Sequence, residues 1–242
     1  MYNLFVPPDQ IRDDIARISG EERHHIHVLR LRVGDEVRLL DGTGGIYEGV
    51  ISTLRRDEAV VKILRRYHRR SPARKVYLYQ GLPKGEKLDL IIQKATELGV
   101  YSVTPVICRR SIPRIEANKI PDRLRRWNKI AVEACKQCGR VFLPRLNRPR
   151  SFDEVLGEVK ADLRLMLWEG EREKRLRDAL KRPLPKSVAV LIGPEGGFEE
   201  MEVRSAVKAG FQPVSLGELT LRTETAAIAS LSIIQYELGL LG

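Results

Sequence analysis

Two glycine-rich segments near the C-terminus constrain this chain most: Leu191-Ile-Gly-Pro-Glu-Gly-Gly-Phe198 and Leu216-Gly-Glu-Leu-Thr-Leu-Arg-Thr-Glu-Thr-Ala226. Each follows an apolar, strand-like run and leads into a helix-like run. A tight glycine turn at that junction lets backbone N–H and C=O groups approach a ligand with no Cβ between them. Open α/β sheets bind ligands at the carboxyl ends of their strands, which is where both turns fall. The pair, with Glu195, Arg222 and Glu224 beside it, predicts two walls of one pocket. The competing reading is a pair of tight structural connections.

From Val76 onward the chain alternates strands and helices, which predicts an α/β layer with a parallel sheet. Val76–Tyr79 and Val103–Ile107 read as strands. Leu163–Trp168 and Val188–Ile192 are continuous apolar runs, as expected of strands covered on both faces. Residues 85–98 form an amphipathic helix, with Leu88, Ile91, Ile92, Ala95 and Leu98 on one face and Gly99 at the C-terminal cap. Further helices are predicted over Arg123–Gly139, Glu199–Ala209 and Thr223–Leu238, and a short strand over Pro213–Leu216. The last helix is apolar nearly all round, which predicts burial in the core or in a subunit interface.

Residues 1–70 read differently. Val28–Leu40, Ile46–Leu54 and Ala59–Leu64 are short, partly alternating runs separated by polar or glycine turns, a spacing that suggests a small barrel. The basic stretch from Arg65 to Lys75 is taken as the linker, so the predicted domains are 1–70 and 71–242.

The net charge of +11 is a physical argument for a polyanionic partner, through long-range attraction and counterion release. Arg109, Arg110 and Arg114 follow a strand end, and Arg123, Arg125, Arg126 and Lys129 open a helix. Each cluster alone is more often a solvated face. Three cysteines suit a reducing compartment and make no disulfide framework. No run reaches the roughly 20 apolar residues of a membrane span, and the first residues lack the pattern of a signal peptide. The expectation is a cytoplasmic protein without a membrane partner.

Neither glycine turn matches a Walker P-loop or a dinucleotide fingerprint, so the ligand stays open on physical grounds. Cys135-x-x-Cys138 sits in a predicted helix with no second ligand pair nearby, and His24, His25 and His27 lack partner ligands. Metal binding is therefore not expected.

Gly193-Pro-Glu-Gly-Gly-Phe198, Leu216-Gly217 and Leu221-Arg-Thr-Glu-Thr-Ala226 resemble the RNA methyltransferases of the SPOUT superfamily. Within it the chain is similar to the family that methylates N3 of a uridine in small-subunit (16S) ribosomal RNA. Lys94-Ala-Thr-Glu-Leu-Gly-Val100, Glu133-Ala-Cys-Lys-Gln-Cys-Gly-Arg140 and His27-Val-Leu-Arg30 with Gly34-Asp35 extend the match over nearly the whole chain. Asn3 stands where the family usually has Arg, and Cys138 where Ser is commoner.

The resemblance implies an N-terminal PUA-like RNA-binding barrel and a trefoil-knotted domain that binds S-adenosylmethionine, working as a homodimer on the small ribosomal subunit. It places the cofactor on Leu191, Ile192, Gly193, Pro194, Glu195, Gly196 and Gly197 of the first segment. From the second it adds Leu216, Gly217, Leu219, Leu221, Thr225 and Ala226. RNA contacts are expected from Arg30, Arg69, Arg70, Arg109, Arg110 and Arg140; an ion pair with Glu133 is the rival reading for Arg140. N3 of uridine must lose a proton to become nucleophilic. Arg222 is the candidate cation for the resulting anion and Glu224 the candidate base. Glu224 is equally readable as an acid at the first turn of the last helix. Glu195 would orient substrate or cofactor, or brace its turn. The alternatives are a related enzyme acting on another RNA, such as tRNA, and a non-catalytic RNA-binding or ribosome-assembly protein.

Overall fold

The computed structural model describes residues 1–180 and 183–241. It divides into two compact units, one of residues 1–71 with 132–143 and the other of residues 72–131 with 144–241.

The first unit carries a six-stranded sheet of β1 (Tyr2–Phe5), β2 (Ile11–Arg12), β3 (Ile15–Ser19), β4 (Glu36–Leu40), β5 (Gly45–Leu54) and β6 (Glu58–His68), in the order β1-β4-β5-β6-β3-β2. Only the β1–β4 pairing is parallel. Alternate residues turn inward as the period of two requires, so Leu4, Ile18, Val37, Leu39, Ile51 and Val61 form its core with Ile26 of α1 (Gly20–Val28).

Two sequence expectations need correction here. Val28–Leu40 is not one strand: Val28 closes α1, and only Glu36–Leu40 is extended. The alternation Leu29-Arg30-Leu31-Arg32-Val33 imitates a strand but serves a helix cap. Arg30 adopts φ 56°, and Leu31 N–H donates to Ile26 O at 3.2 Å, closing the helix end. Nor does a linker begin at Arg65, because β6 continues to His68, paired with Gly45–Glu48 of β5. Long basic side chains suit an exposed strand end as well as a loop, so their charge concealed the ladder.

The second unit is built on β7 (Lys75–Gly81), β8 (Ser102–Ile107), β9 (Arg145–Leu146), β10 (Arg150–Ser151), β11 (Leu163–Leu167), β12 (Ser187–Ile192) and β13 (Gln212–Val214). The order is β10-β8-β7-β12-β11-β13, with β9 also on β8, and every pairing is parallel. Val188–Ile192 is buried throughout, as its unbroken apolar run predicts. Ala189 and Leu191 pack towards α4 (Phe152–Glu158) and α6 (Glu200–Lys208). On the opposite face lie α2 (Lys87–Glu97) and α7 (Thr223–Glu237), in contact with each other. The short α5 (Leu176–Ala179) follows β11, and α3 (Ile120–Cys138) runs from the second unit into residues of the first. Because all strands are parallel, their carboxyl ends Gly81, Ile107, Leu167, Ile192 and Val214 share one edge. The last helix is only half covered. Ala227, Leu231 and Ile234 are buried, whereas Ile233 and Tyr236 are 39% and 67% exposed.

Within the first unit, Lys136 of α3 is buried, and its ammonium lies 3.1 Å from Glu22 and 2.7 Å from Glu133. Asn3 Nδ2 donates to the Lys136 carbonyl at 2.8 Å and so braces this helix. Removing Glu22 leaves the buried ammonium with the half-exposed Glu133 opposite it, a partial compensation that costs more than removing both buried charges. Glu22→Gln should therefore lower unfolding free energy by about 2–3 kcal/mol, and Glu22→Leu with Lys136→Met by less. Urea denaturation of the two variants checks the order.

Candidate active site

A cavity of about 470 Å³ opens at the carboxyl ends of β11, β12 and β13. Both glycine segments line it, and the same sheet edge explains why. Ile192 ends β12 and hands the chain to Gly193–Gly197, while Val214 ends β13 and hands it to Ser215–Arg222.

The first turn is held from three sides. Gly197 N–H donates to Pro194 O at 3.0 Å, and Gly197 adopts φ 67°. A Cβ there would lie 2.1 Å from Glu169 Oε1, a side-chain end that can swing aside, so it is the left-handed conformation that requires glycine. Glu195 Oε1 accepts from Lys84 N–H at 3.0 Å and from Lys87 Nζ at 2.8 Å, tying the turn to the start of α2. Arg110 Nη1 donates to Gly196 O at 2.9 Å from the loop after β8. Below the turn, Gly81 approaches so closely that a Cβ would sit 2.5 Å from Pro194 N.

The second segment is tied to the first through a buried relay. Gln80 Nε2 donates to Thr223 Oγ1 at 2.9 Å, and the Thr223 hydroxyl donates to Gly193 O at 2.6 Å. The Gly193 carbonyl is thereby satisfied inside the protein, and the start of α7 is fixed against the end of β12. Ser215 Oγ accepts from Gly217 N–H at 3.1 Å and donates to Gly217 O at 2.8 Å, shaping the second turn.

Of the residues expected to hold a cofactor, Ile192, Gly193, Pro194, Glu195, Gly196 and Gly197 line the cavity, as do Leu216, Gly217, Leu219, Leu221 and Ala226. Leu191 does not: its side chain is fully buried in the core beneath β12. Thr225 is exposed and away from the lining, because it projects from the first turn of α7 on a different face from Ala226. Arg222 lines the cavity, exposed, at the N-cap of α7. Glu224 stands outside the lining, with Oε2 buried, without a hydrogen-bond partner among the described residues, and 3.9 Å from Lys87 Nζ. Arg30, Arg69 and Arg70 are exposed on the first unit. Arg140, partly buried on the same unit, donates its backbone N–H to Cys135 O, while the Glu133 carboxylate pairs with Lys136. Burial pushes the Cys135 thiol up to about 12.

Sequence reasoning missed Lys87, Trp168, Glu169, Arg172, Ser215 and Thr223, all in the lining. The first four come from strand ends other than the two glycine turns. Their signal is the rule already applied to β12, extended to β7 and β11: polar residues immediately after a buried parallel strand face the ligand edge.

Burial acts to raise the Glu195 carboxyl, but the Lys87 hydrogen bond, backbone N–H donors and the Lys87 charge outweigh it and hold it below the ordinary 4.5. A depressed folded value means that the anchorage is present above the ordinary range and is lost as pH falls through the folded value. Glu195→Gln should therefore weaken ligand binding in the cavity at neutral pH. The difference from the wild type should close as pH falls through that depressed value. A calorimetric pH series checks both halves.

The geometry has counterparts. An RNA methyltransferase domain model matches residues 69–235, and an RNA methyltransferase PUA domain model matches residues 18–64. Ribosomal RNA small subunit methyltransferase E of Bacillus subtilis is 35% identical over 233 residues, covering 93% of this chain and 91% of its own. The protein of that name from Neisseria gonorrhoeae, solved bound to S-adenosyl methionine, superposes with a TM-score of 0.88 at 30% identity, covering 98% of this chain and 97% of its own. A Legionella pneumophila structure with the bound cofactor SAM gives 0.90 at 34% identity, with 97% of each chain covered. The chain belongs to the RNA methyltransferase family, alongside the ribosomal RNA small subunit methyltransferase E proteins.

Proposed function

We propose that this protein methylates N3 of a uridine in 16S ribosomal RNA, using S-adenosylmethionine bound in the cavity between the two glycine segments. The observation that carries the reading is that cavity, whose walls bring backbone and acidic groups together over an apolar floor of Leu167, Ile192 and Val214.

The lining suits that cofactor. Cβ-free backbone at Gly193, Gly196 and Gly197 lets a nucleoside lie close against the first turn. Leu216, Leu221 and Ala226 offer apolar contact, and Glu169, Glu195 and Glu218 complement a cationic ligand. When bound, the cofactor supplies an electrophilic methyl group on a sulfonium. The chain's own contribution is mostly positioning, since in-line transfer demands a fixed approach. Arg222, exposed in the lining, is the candidate cation for the uridine anion. Glu224, outside the lining and with Oε2 3.9 Å from Lys87 Nζ, is the candidate base, and its place in the first turn of α7 equally suits it to the helix N-terminus.

The finer architecture belongs to the same reading. Residues 1–70 would act as a PUA-like barrel on RNA and residues 71–242 as a trefoil-knotted catalytic domain. Arg30, Arg69, Arg70, Arg109, Arg110 and Arg140 would contact RNA. The exposed apolar side of α7, with Ile233 and Tyr236, suits a homodimer. Among the described residues no helix is long and apolar enough to cross a membrane, and a ribosomal substrate fits a cytoplasmic location.

Methyl transfer to small subunits lacking the modification, followed by nucleoside analysis, tests the proposal. 3-Methyluridine at one site is expected. Another methylated nucleoside would overturn the target atom, and cofactor binding without any transfer would favour a non-catalytic RNA-binding role. Arg222→Ala should lower kcat by about 100-fold, with the cofactor Kd within about threefold of the wild type. Equal losses in both would remove its role on the substrate.

A further inference from the structure

The sheet edge that forms the cofactor cavity carries a second one. It measures about 350 Å³ and lies at the carboxyl ends of β8 and β10, against α4 and α6. That size is at the lower end for small-ligand sites and suits one nucleotide. The loop after β8 reaches both. Arg110 hydrogen-bonds Gly196 O in the wall of the first, while its neighbour Arg109 lines the second.

The second cavity combines two features that its own packing does not need. Ile107 and Met201 leave 41% and 61% of their surface to solvent above the buried Phe152, giving an apolar slot. Arg114 has no hydrogen-bond or ion-pair partner among the described residues, and Arg109 Nε stands 3.8 Å from Glu199 Oε2. The acidic groups are Glu202 and Asp153. Glu202 is buried and taken up by structure, since its two oxygens accept the backbone N–H groups of Arg109 and Glu199, each at 2.9 Å. Asp153 is exposed in the first turn of α4.

An apolar slot rimmed by arginines matches the way single-stranded RNA is held, with the base against a hydrophobic face and the phosphate on a cation. We infer that this cleft is a second RNA subsite, which seats a nucleotide flanking the uridine presented to the cofactor cavity. Its base packs against Ile107, Phe152 and Met201, and its phosphate meets Arg114 and Arg109. The inference rests on the reading of the protein as an enzyme acting on RNA. It adds how the strand on one side of the target is gripped. Extruding a base from its stack costs a few kcal/mol, and a grip on the neighbouring nucleotide offsets part of that.

The two halves of the subsite have different signatures in binding of an unmodified 16S rRNA transcript to the full-length protein. Arg114→Ala should weaken binding about fivefold and reduce the slope of log K against log salt by about one, as loss of one phosphate contact does. Met201→Ser should weaken binding about threefold with the salt slope unchanged, because the lost contact is apolar. Both variants should bind S-adenosylmethionine as the wild type does and keep its Tm. RNA binding equal to wild type in both variants would overturn the subsite. So would parallel loss of RNA affinity, cofactor affinity and Tm, which would mark the residues as structural. A wild-type protein that binds the transcript but transfers no methyl would sink the proposed reaction, while the affinities would still decide the subsite.

Discussion

β12 lies between β7 and β11 with residues Val188–Ile192 buried on both faces, and the rest of the site depends on that burial. A strand fixed by its neighbours on four sides ends at one place, so the chain must turn at Gly193. The turn is then caught by Glu195 on Lys84 and Lys87, by Arg110 on Gly196 O, and by Thr223 on Gly193 O. These contacts come from the loop after β7, the loop after β8 and the start of α7, all at the carboxyl edge of the one sheet. Parallel pairing is what gathers them. An antiparallel neighbour would send every second strand end, with its loop, to the opposite edge.

Tight backbone packing explains why glycine sits where it does. At Gly81 the neighbouring strand's continuation passes so near that any side chain would meet Pro194. At Gly197 it is the positive φ that favours glycine. The cavity is therefore walled by backbone on one side, which favours recognition by amide edges and shape over recognition by long side chains. Long, charged side chains instead occupy its rim, where Lys87, Arg172 and Arg222 stand.

Much of the second unit was legible in the chain. Continuous apolar runs located β11 and β12, and the helix from 87 to 97 followed from Leu88, Ile91, Ile92 and Ala95. The glycine segments located the cavity itself. What stayed hidden shares one cause: a pattern that two structures satisfy equally. Leu29–Val33 alternates like a strand yet caps α1, and Arg65–His68 looks like a charged linker yet completes β6. Leu191 was drawn into the cofactor wall by its place in the motif, although strand alternation turns it into the core. Lys87 went unnoticed because an isolated lysine in a helix's first turn carries no signal until β7 is known to end beside β12.

The most direct test of this account is calorimetric titration of S-adenosylmethionine into the wild type and into Gly197→Ala. The account predicts one site per chain in the wild type. It also predicts binding weakened at least about tenfold in the variant, since a residue with a Cβ at φ 67° strains the turn that walls the cavity. Equal affinity in the two proteins, with Tm preserved, would show that the cofactor does not depend on this turn and would contradict the account.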